Sequence, residues 1–267
     1  MASRLKRSQN YMTNRLSLKL VKDRLHSLLE ELDDEEFNSS ATLHMFLRDQ
    51  KSLFDLMLFL DQNLKEKEKL VDFGGGYGFL TKFVAEVLGF KEAYNIDLDD
   101  CRVKRSRVKA IRLDLERERL PFEDGEVDLI LSFGALDHMG LWDQPFSEAH
   151  RVLKIHGYFV ISLTNLGSWD SRLSLLFGYQ PRHVEVSSKY LVAVLPFYKE
   201  VAVPVGHVHT CTYKALKDLA LCYKFRVRYV RGLKTTHPNR IVKIIDSLMA
   251  RKPSLATRYL VALEKVE

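Results

Sequence analysis

Apolar residues at Leu18, Val21, Leu25, Leu28, Leu29 and Leu32 follow helical spacing and predict an amphipathic helix over residues 15–32, closed by the acidic run Glu31–Glu36. Ser39 or Ser40 can cap a second helix carrying Leu43, Phe46, Leu47, Phe54, Met57, Leu58 and Leu60. After the charged connector Lys65–Lys69 the pattern changes. Leu70, Val71 and Phe73 form a short apolar strand around Asp72, and Gly74, Gly75, Gly76 and Gly78 break it. Phe79, Leu80, Phe83, Val84 and Val87 then resume helical spacing up to Gly89, a natural C-terminal stop. Ala93–Ile96, Ala110–Leu113 and Val127–Ser132 read as further buried strands, the first two running into Asp97 and Asp114. The basic stretch Asp99–Lys109 predicts a short solvated helix between them. In the last third, a helix is expected over Tyr213–Cys222 and a strand over Phe225–Tyr229, with Arg226 and Arg228 on one face. An amphipathic, basic helix Arg240–Met249 and a closing strand Tyr259–Leu263 follow. Strands alternating with helices predict an α/β fold. Residues 1–66 read as a helical extension and residues 67–267 as the α/β domain, with no internal repeat.

Composition narrows the class. At 267 residues and 46% hydrophobic content, the chain can bury a large core. It holds no run of about 18 apolar residues, so no transmembrane helix is expected. The basic N-terminus lacks an apolar stretch and does not read as a secretory signal. Cys101, Cys211 and Cys222 have no metal-ligand spacing, which fits a reducing, cytoplasmic compartment. The net charge of +6 is uneven: residues 1–30 carry seven Lys/Arg against two acids, and residues 201–267 thirteen against four. Two basic ends suit an RNA or anionic-membrane contact, or simply a solvated surface with Arg226 and Arg228 guarding a sheet edge.

Strand, glycine turn and helix over Leu70–Val87 form the unit that cradles a nucleotide-like ligand. The spacing decides among such ligands. A dinucleotide fingerprint fails because its third glycine would fall on Phe79 or Thr81, and a P-loop fails because no Lys-Ser/Thr pair follows the glycines. The motif that stands is D-x-G-x-G-x-G, Asp72 to Gly78. Asp97, 25 residues after Asp72, can accept from both hydroxyls of a ribose.

This motif resembles the first motif of class I S-adenosylmethionine-dependent methyltransferases, and four further segments resemble the same family in order. These are Asp114 after the third strand, Leu120-Pro121-Phe122 with the turn Asp124-Gly125 before strand four, GALDHM at Gly134–Met139, and EAHRVLKIHGYFVIS at Glu148–Ser162. In the last, Ile155-His156 stands where the family has Pro-Gly, leaving Gly157 alone for the turn. The matches cover residues 70–162 and are closest to the broad type 11 group of small-molecule enzymes. The resemblance implies a doubly wound, Rossmann-like, mostly parallel sheet of seven strands in the order 3-2-1-4-5-7-6, the last antiparallel, with Phe225–Tyr229 at an edge. It implies S-adenosylmethionine as cofactor. Asp72, Gly74, Gly75, Gly76 and Gly78 would face its amino-acid part, Asp97 and Leu98 its ribose, Asp114 and Leu115 its adenine, with Ser132 and Phe133 at the end of strand four. Two absences narrow the acceptor. Ser132-Phe133-Gly134-Ala135 replaces the Asn/Asp-Pro-Pro-aromatic motif of exocyclic-amine methylases, and no cysteine ends strand four or five for covalent cytosine chemistry.

Residues 163–212 form an insertion after strand five, on the carboxyl side of the sheet where α/β folds bind ligands. It reads as a substrate cap, apolar through Leu173, Leu175, Leu176, Phe177, Leu195, Phe197 and Tyr198 and partly basic through Arg182, His183, His207 and His209. Methyl transfer from a sulfonium needs alignment and a dry site, and a base only for an acceptor of high pKa. The candidates for that base are His138, His207 and His209, the last two on one side if their stretch is extended. Asn165, Arg182 and Tyr213 are candidates to orient the acceptor. No third ligand accompanies His207-x-His209, so no metal is expected. The readings are a methyltransferase acting on an O, N or C atom of a small-molecule, lipid-linked or sugar acceptor; an RNA or protein methyltransferase using the basic ends; and a non-catalytic S-adenosylmethionine-binding protein.

Overall fold

The computed structural model describes residues 16–33, 41–99, 107–199, 202–235 and 237–267. The proposed cap at Ser39 or Ser40, Cys101, Arg102, Lys104, Arg105 and the basic residues up to Arg15 lie outside the described residues.

Three helices lead in: α1 (Leu18–Leu29), α2 (Ala41–Arg48) and α3 (Gln50–Asn63). The second expected helix is thus two. Asp49 separates them because its carboxylate caps the next helix, accepting from the Ser52 amide at 3.2 Å and the Ser52 hydroxyl at 2.6 Å. The alternation then begins with β1 (Lys69–Phe73), α4 (Phe79–Leu88), β2 (Glu92–Asp97), β3 (Val108–Arg112) and β4 (Val127–Phe133). Val108 and Lys109 open β3 instead of ending a helix. Next come α5 (Asp143–Val152), β5 (Leu153–Thr164), α6 (Trp169–Leu176), α7 (Tyr213–Cys222), β6 (Phe225–Leu233), α8 (Arg240–Met249) and β7 (Arg258–Lys265). The sheet has seven strands in the order β3-β2-β1-β4-β5-β7-β6, with β7 antiparallel to both neighbours. This is the expected doubly wound topology, with β6 at an edge.

Side chains alternate across the sheet and feed two cores. Leu70, Leu129, Leu131, Tyr158, Val160 and Leu260 pack with α1–α4 on one face; Val71, Ile130, Phe159, Ile161 and Val261 pack with α5 and α7 on the other. Phe46 of α2 meets Phe133 at the end of β4 edge-on, ring centres 5.3 Å apart, so the lead-in helices reach the carboxyl end of the sheet. Among the described residues no helix is long and apolar enough to cross a membrane.

Two strand irregularities were not legible locally. β5 starts at Leu153, before the turn, and its pairing with β4 shifts between Val127 and Leu129. His156 takes the left-handed backbone there, φ 68°, beside Gly157, where a Cβ would come within 3.0 Å of the Asp128 carbonyl. On β6 a bulge falls between Val227 and Tyr229, and Arg228 reaches Glu264 of β7 at 2.7 Å. Arg228 therefore closes an ion pair as well as guarding the edge.

Candidate active site

The carboxyl end of β1 opens into a cavity of about 580 Å³. Its floor is the glycine loop. Gly74 and Gly76 have φ of 68° and 53°, but they differ in what surrounds them. A Cβ on Gly74 would strike the Ala135 Cβ at 2.4 Å, whereas one on Gly76 would meet nothing within 4 Å. Gly74 therefore serves close packing against the β4 loop, and Gly76 faces open space. Gly78 is the left-handed N-cap of α4. Asp97, at the tip of β2, accepts the Gly76 amide on Oδ2 at 3.0 Å.

Asp72 is buried beneath this loop. Thr81 donates to its Oδ2 at 2.7 Å, and its Oδ1 has no hydrogen-bond partner. Burial pushes its carboxyl up to about 7; the Thr81 bond opposes that rise and the nearby Asp97 charge adds to it. An uncompensated carboxylate oxygen at the floor of this cavity suits a cationic ligand group.

The roof comes from the β4 loop, the segment 163–212 and the start of β7. Asp137, fully buried in a short 3-10 turn after β4, ties these together. Its carboxylate accepts the Thr164 hydroxyl at 2.7 Å and the Thr164 amide at 3.2 Å, and its carbonyl accepts the amides of Val208 and His209. His138 Nδ1 lies 2.9 Å from the Gly206 carbonyl. A carbonyl only accepts, so Nδ1 carries the proton and Nε2 of the neutral ring keeps a free lone pair. His207 stands beside it, ring centres 5.2 Å apart, with Asp137 at 3.9 Å and Glu185 at 3.7 Å. Burial lowers the His207 pKa, the Asp137 charge opposes this, and Arg258 lowers it further.

The cavity brings together Asp72, Gly74, Gly75, Gly76, Phe133 and His138 with His207 and Arg182 of the cap. Other candidates lie elsewhere. Leu98 is exposed, Leu115 packs in the core, and Asp114 accepts the Glu116 amide at 2.9 Å. These sit along the β2–β3 end of the sheet, outside the cavity; buried Ser132, on β4, is outside it too. Asn165, Tyr213 and His209 also stand apart from it. Asn165 spends its amide on the carbonyls of Ala256 and Pro253 and its carbonyl oxygen on the Gly167 amide, so it is a fastener between β5 and the approach to β7. Tyr213 lies against the Tyr259 ring, outside the cavity. His209 packs on Trp142, ring centres 5.3 Å apart, while His207 lines the cavity, so the two rings have different surroundings. Residues the sequence reading did not single out also line it: Met45 and Arg48 of α2, Lys234 and Thr235 after β6, and Arg258. Asp137 lay inside the GALDHM segment, but nothing local marks it as the tie-point.

The methyltransferase-domain family model matches residues 71–161. The chain carries a methyltransferase domain of the S-adenosylmethionine-dependent class. A Mycolicibacterium smegmatis protein named "Probable S-adenosylmethionine-dependent methyltransferase" is 31% identical over 101 residues, covering 36% of this chain and 38% of that protein. The ubiquinone/menaquinone biosynthesis C-methyltransferase of Cupriavidus metallidurans is 24% identical over 157 residues, covering 51% of this chain and 65% of that one. The match therefore spans less than two thirds of either relative. In fold, an S-adenosylmethionine-dependent methyltransferase from Mesorhizobium loti superposes with a TM-score of 0.52 at 16% identity, covering 79% of this chain and 96% of that one. The YcgJ protein of Bacillus subtilis gives 0.52 at 15%, covering 79% and 98%.

The methyltransferase domain's residues fit the cofactor of that class. The unpartnered Asp72 oxygen suits its ammonium, the open face of Gly76 gives the backbone room for it, and Asp97 stands at the strand tip. Among the described residues no group of three or more His, Cys, Asp or Glu side chains is arranged to hold a metal ion.

Proposed function

We propose that this protein transfers a methyl group from S-adenosylmethionine to an O, N or C atom of a small-molecule, lipid-linked or sugar acceptor held under the 163–212 cap. The observation that carries this reading is the continuity of the cavity. It runs from the glycine loop, where the cofactor would lie, to His138, His207 and Arg182 beneath the cap.

In this reading Asp72 and Gly74–Gly76 hold the amino-acid part of the cofactor, with Gly78 shaping the loop as the α4 cap. Asp97 accepts from the ribose hydroxyls with Leu98 beside it. Asp114 and the Leu115 backbone read the adenine, and Ser132 and Phe133 close the end of β4. S-adenosylmethionine supplies a methyl on a positively charged sulfur, so the protein's task is alignment and exclusion of water. His138 Nε2 takes the acceptor's proton where the acceptor has one to lose, because Gly206 fixes the ring's tautomer. His207, kept neutral by burial, positions the acceptor. Asp137 and Glu185 act by orienting this pair.

The test is a transfer assay with methyl-labelled cofactor against separate metabolite, lipid, RNA and protein pools. Label in a metabolite or lipid, lost in His138→Ala, is the expected result. Label confined to RNA or protein would replace this reading with one that uses the basic ends. Tight cofactor binding with no label in any pool would point to a non-catalytic binding protein.

A further inference from the structure

Charge is unevenly placed around the cavity: among the described residues Arg48, Arg182, Lys234 and Arg258 line it, against one acid, Asp72. The buried nitrogens Arg182 Nε, His183 Nε2, His207 Nδ1 and Arg258 Nε make no hydrogen bond, and all four residues line the cavity. The His183 and His207 rings meet at a tilt, 5.5 Å between centres. Lys234 adds an exposed ammonium at the rim, with no ion pair to any described residue. An arginine Nε–H can only donate, and its guanidinium keeps its charge. Arg182 and Arg258 each have a carboxylate only at long range, so their guanidiniums keep donors for a ligand that accepts.

We propose, resting on the reading that an acceptor lies under the cap, that this acceptor carries an oxyanion, a carboxylate or phosphate group, bound by Arg182 and Arg258 with Lys234 at the entrance. The carboxylates near Arg182 and Arg258 are already engaged. Asp170 accepts from the Ser168 hydroxyl and, at 2.9 Å, from the Tyr198 hydroxyl; Arg182 Nε stands 3.4 Å away. Asp137 accepts from Thr164, and Arg258 Nη2 stands 3.6 Å away. Glu185 accepts the amides of Val205 and Gly206. These acids hold the guanidiniums in place by long contacts without using up their donors. The Tyr198 ring lies under the Arg182 guanidinium at 4.5 Å and fixes its plane. Burial holds His183 neutral, with Arg182 adding to the effect, so the fixed charge beside it comes from the arginines and Lys234.

The placement also favours a small molecule over a polyanion. Arg182 and Arg258 are each only 19% exposed, set inside a cavity, whereas a nucleic-acid backbone is gripped by exposed Lys and Arg across a surface. The two ends of the cavity would then sort two charges: the cofactor's ammonium at Asp72 and the acceptor's oxyanion at the arginines.

The test uses the full chain saturated with S-adenosylhomocysteine, titrated calorimetrically with inorganic phosphate, inorganic pyrophosphate or malonate, against chloride at equal ionic strength. One saturable site for at least one probe is expected, and which probe binds separates phosphate from carboxylate. Arg182→Gln should weaken that site roughly tenfold or more. Lys234→Gln, on the surface and harmless to folding, should weaken it several-fold, and neither change should alter S-adenosylhomocysteine affinity. In the transfer assay the labelled product should be retained on an anion exchanger at neutral pH. The proposal is overturned if no probe binds the loaded protein, if both variants bind as wild type does, or if the product is uncharged. The last outcome leaves the methyltransferase reading intact, whereas failure to bind S-adenosylhomocysteine at all would strike that reading instead.

Discussion

Asp97, at the tip of β2, holds the amide of Gly76 at 3.0 Å, coupling the strand expected to meet the ribose to the glycine facing the open cavity. Its second oxygen makes only a long 3.4 Å contact with the Asp99 amide and is available to a ligand hydroxyl. Asp97→Ala should weaken S-adenosylhomocysteine binding by roughly 1.5–3 kcal/mol, the range for hydrogen bonds to a charged group. Calorimetric titration of the variant measures it. An unchanged affinity, with Asp114→Ala impaired instead, would move the ribose elsewhere.

The glycine loop separates packing from binding. Gly76→Val should leave the protein folded, at a cost of about 1–3 kcal/mol for its positive φ, and abolish cofactor binding, since its side chain enters space that is otherwise open. Gly74→Ala should instead lower the melting temperature, because its Cβ meets Ala135 at 2.4 Å. Thermal melts with and without S-adenosylhomocysteine distinguish the two.

Asp72 makes the ligand-free protein sensitive to pH. Its carboxyl sits at about 7 in the folded chain against an ordinary 3.8. Between those values the unfolded chain has lost the proton while the folded chain keeps it. The contribution of Asp72 to stability is therefore full below about 4, falls as pH rises through this window, and levels off above 7. Asp72→Asn should flatten the dependence of urea stability on pH between 5 and 8, relative to wild type. Cofactor binding near pH 6 should release a proton, since an ammonium beside Asp72 favours the carboxylate; calorimetry in buffers of different ionisation enthalpy reads this directly.

His207 and His209 should behave differently despite their spacing. His209→Ala, changing a ring that packs on Trp142, should leave turnover within about twofold of wild type. His138→Ala should lower turnover by 100-fold or more where the acceptor must lose a proton, within the usual range for a general base, and leave cofactor affinity unchanged. Steady-state rates and S-adenosylhomocysteine titration on the same preparations test both statements. Equal losses in His138→Ala and His209→Ala would reject the assignment.

Asp137 should matter to stability before chemistry. Asp137→Ala strips Thr164 of its acceptor and leaves Arg258 buried without its carboxylate, and should cost about 3–5 kcal/mol by urea denaturation. Asp137→Asn, which keeps an acceptor for the Thr164 hydroxyl, should recover part of that loss.

The chain's own pattern determined the parts that depend on neighbours in sequence. The strand, glycine turn and helix around Asp72, the helices Tyr213–Cys222 and Arg240–Met249, and the strand Phe225–Tyr229 follow from periodicity and glycine placement, which act over a few residues. The strand order came with the resemblance carried by Asp72–Gly78 and the segments after it. Tertiary structure alone decided where two equally spaced histidines go. His207 enters the cavity and His209 turns to Trp142, because Asp137 holds the amides of Val208 and His209 from a turn some seventy residues earlier. It also made Asn165 a fastener, since its partners Pro253 and Ala256 lie far along the chain. The cavity lining of Arg182, His183, His207 and Arg258 was illegible for the same reason. Each of these residues is ordinary in its own segment, and they meet on one cavity only when the sheet carries the start of β7 against the 163–212 segment.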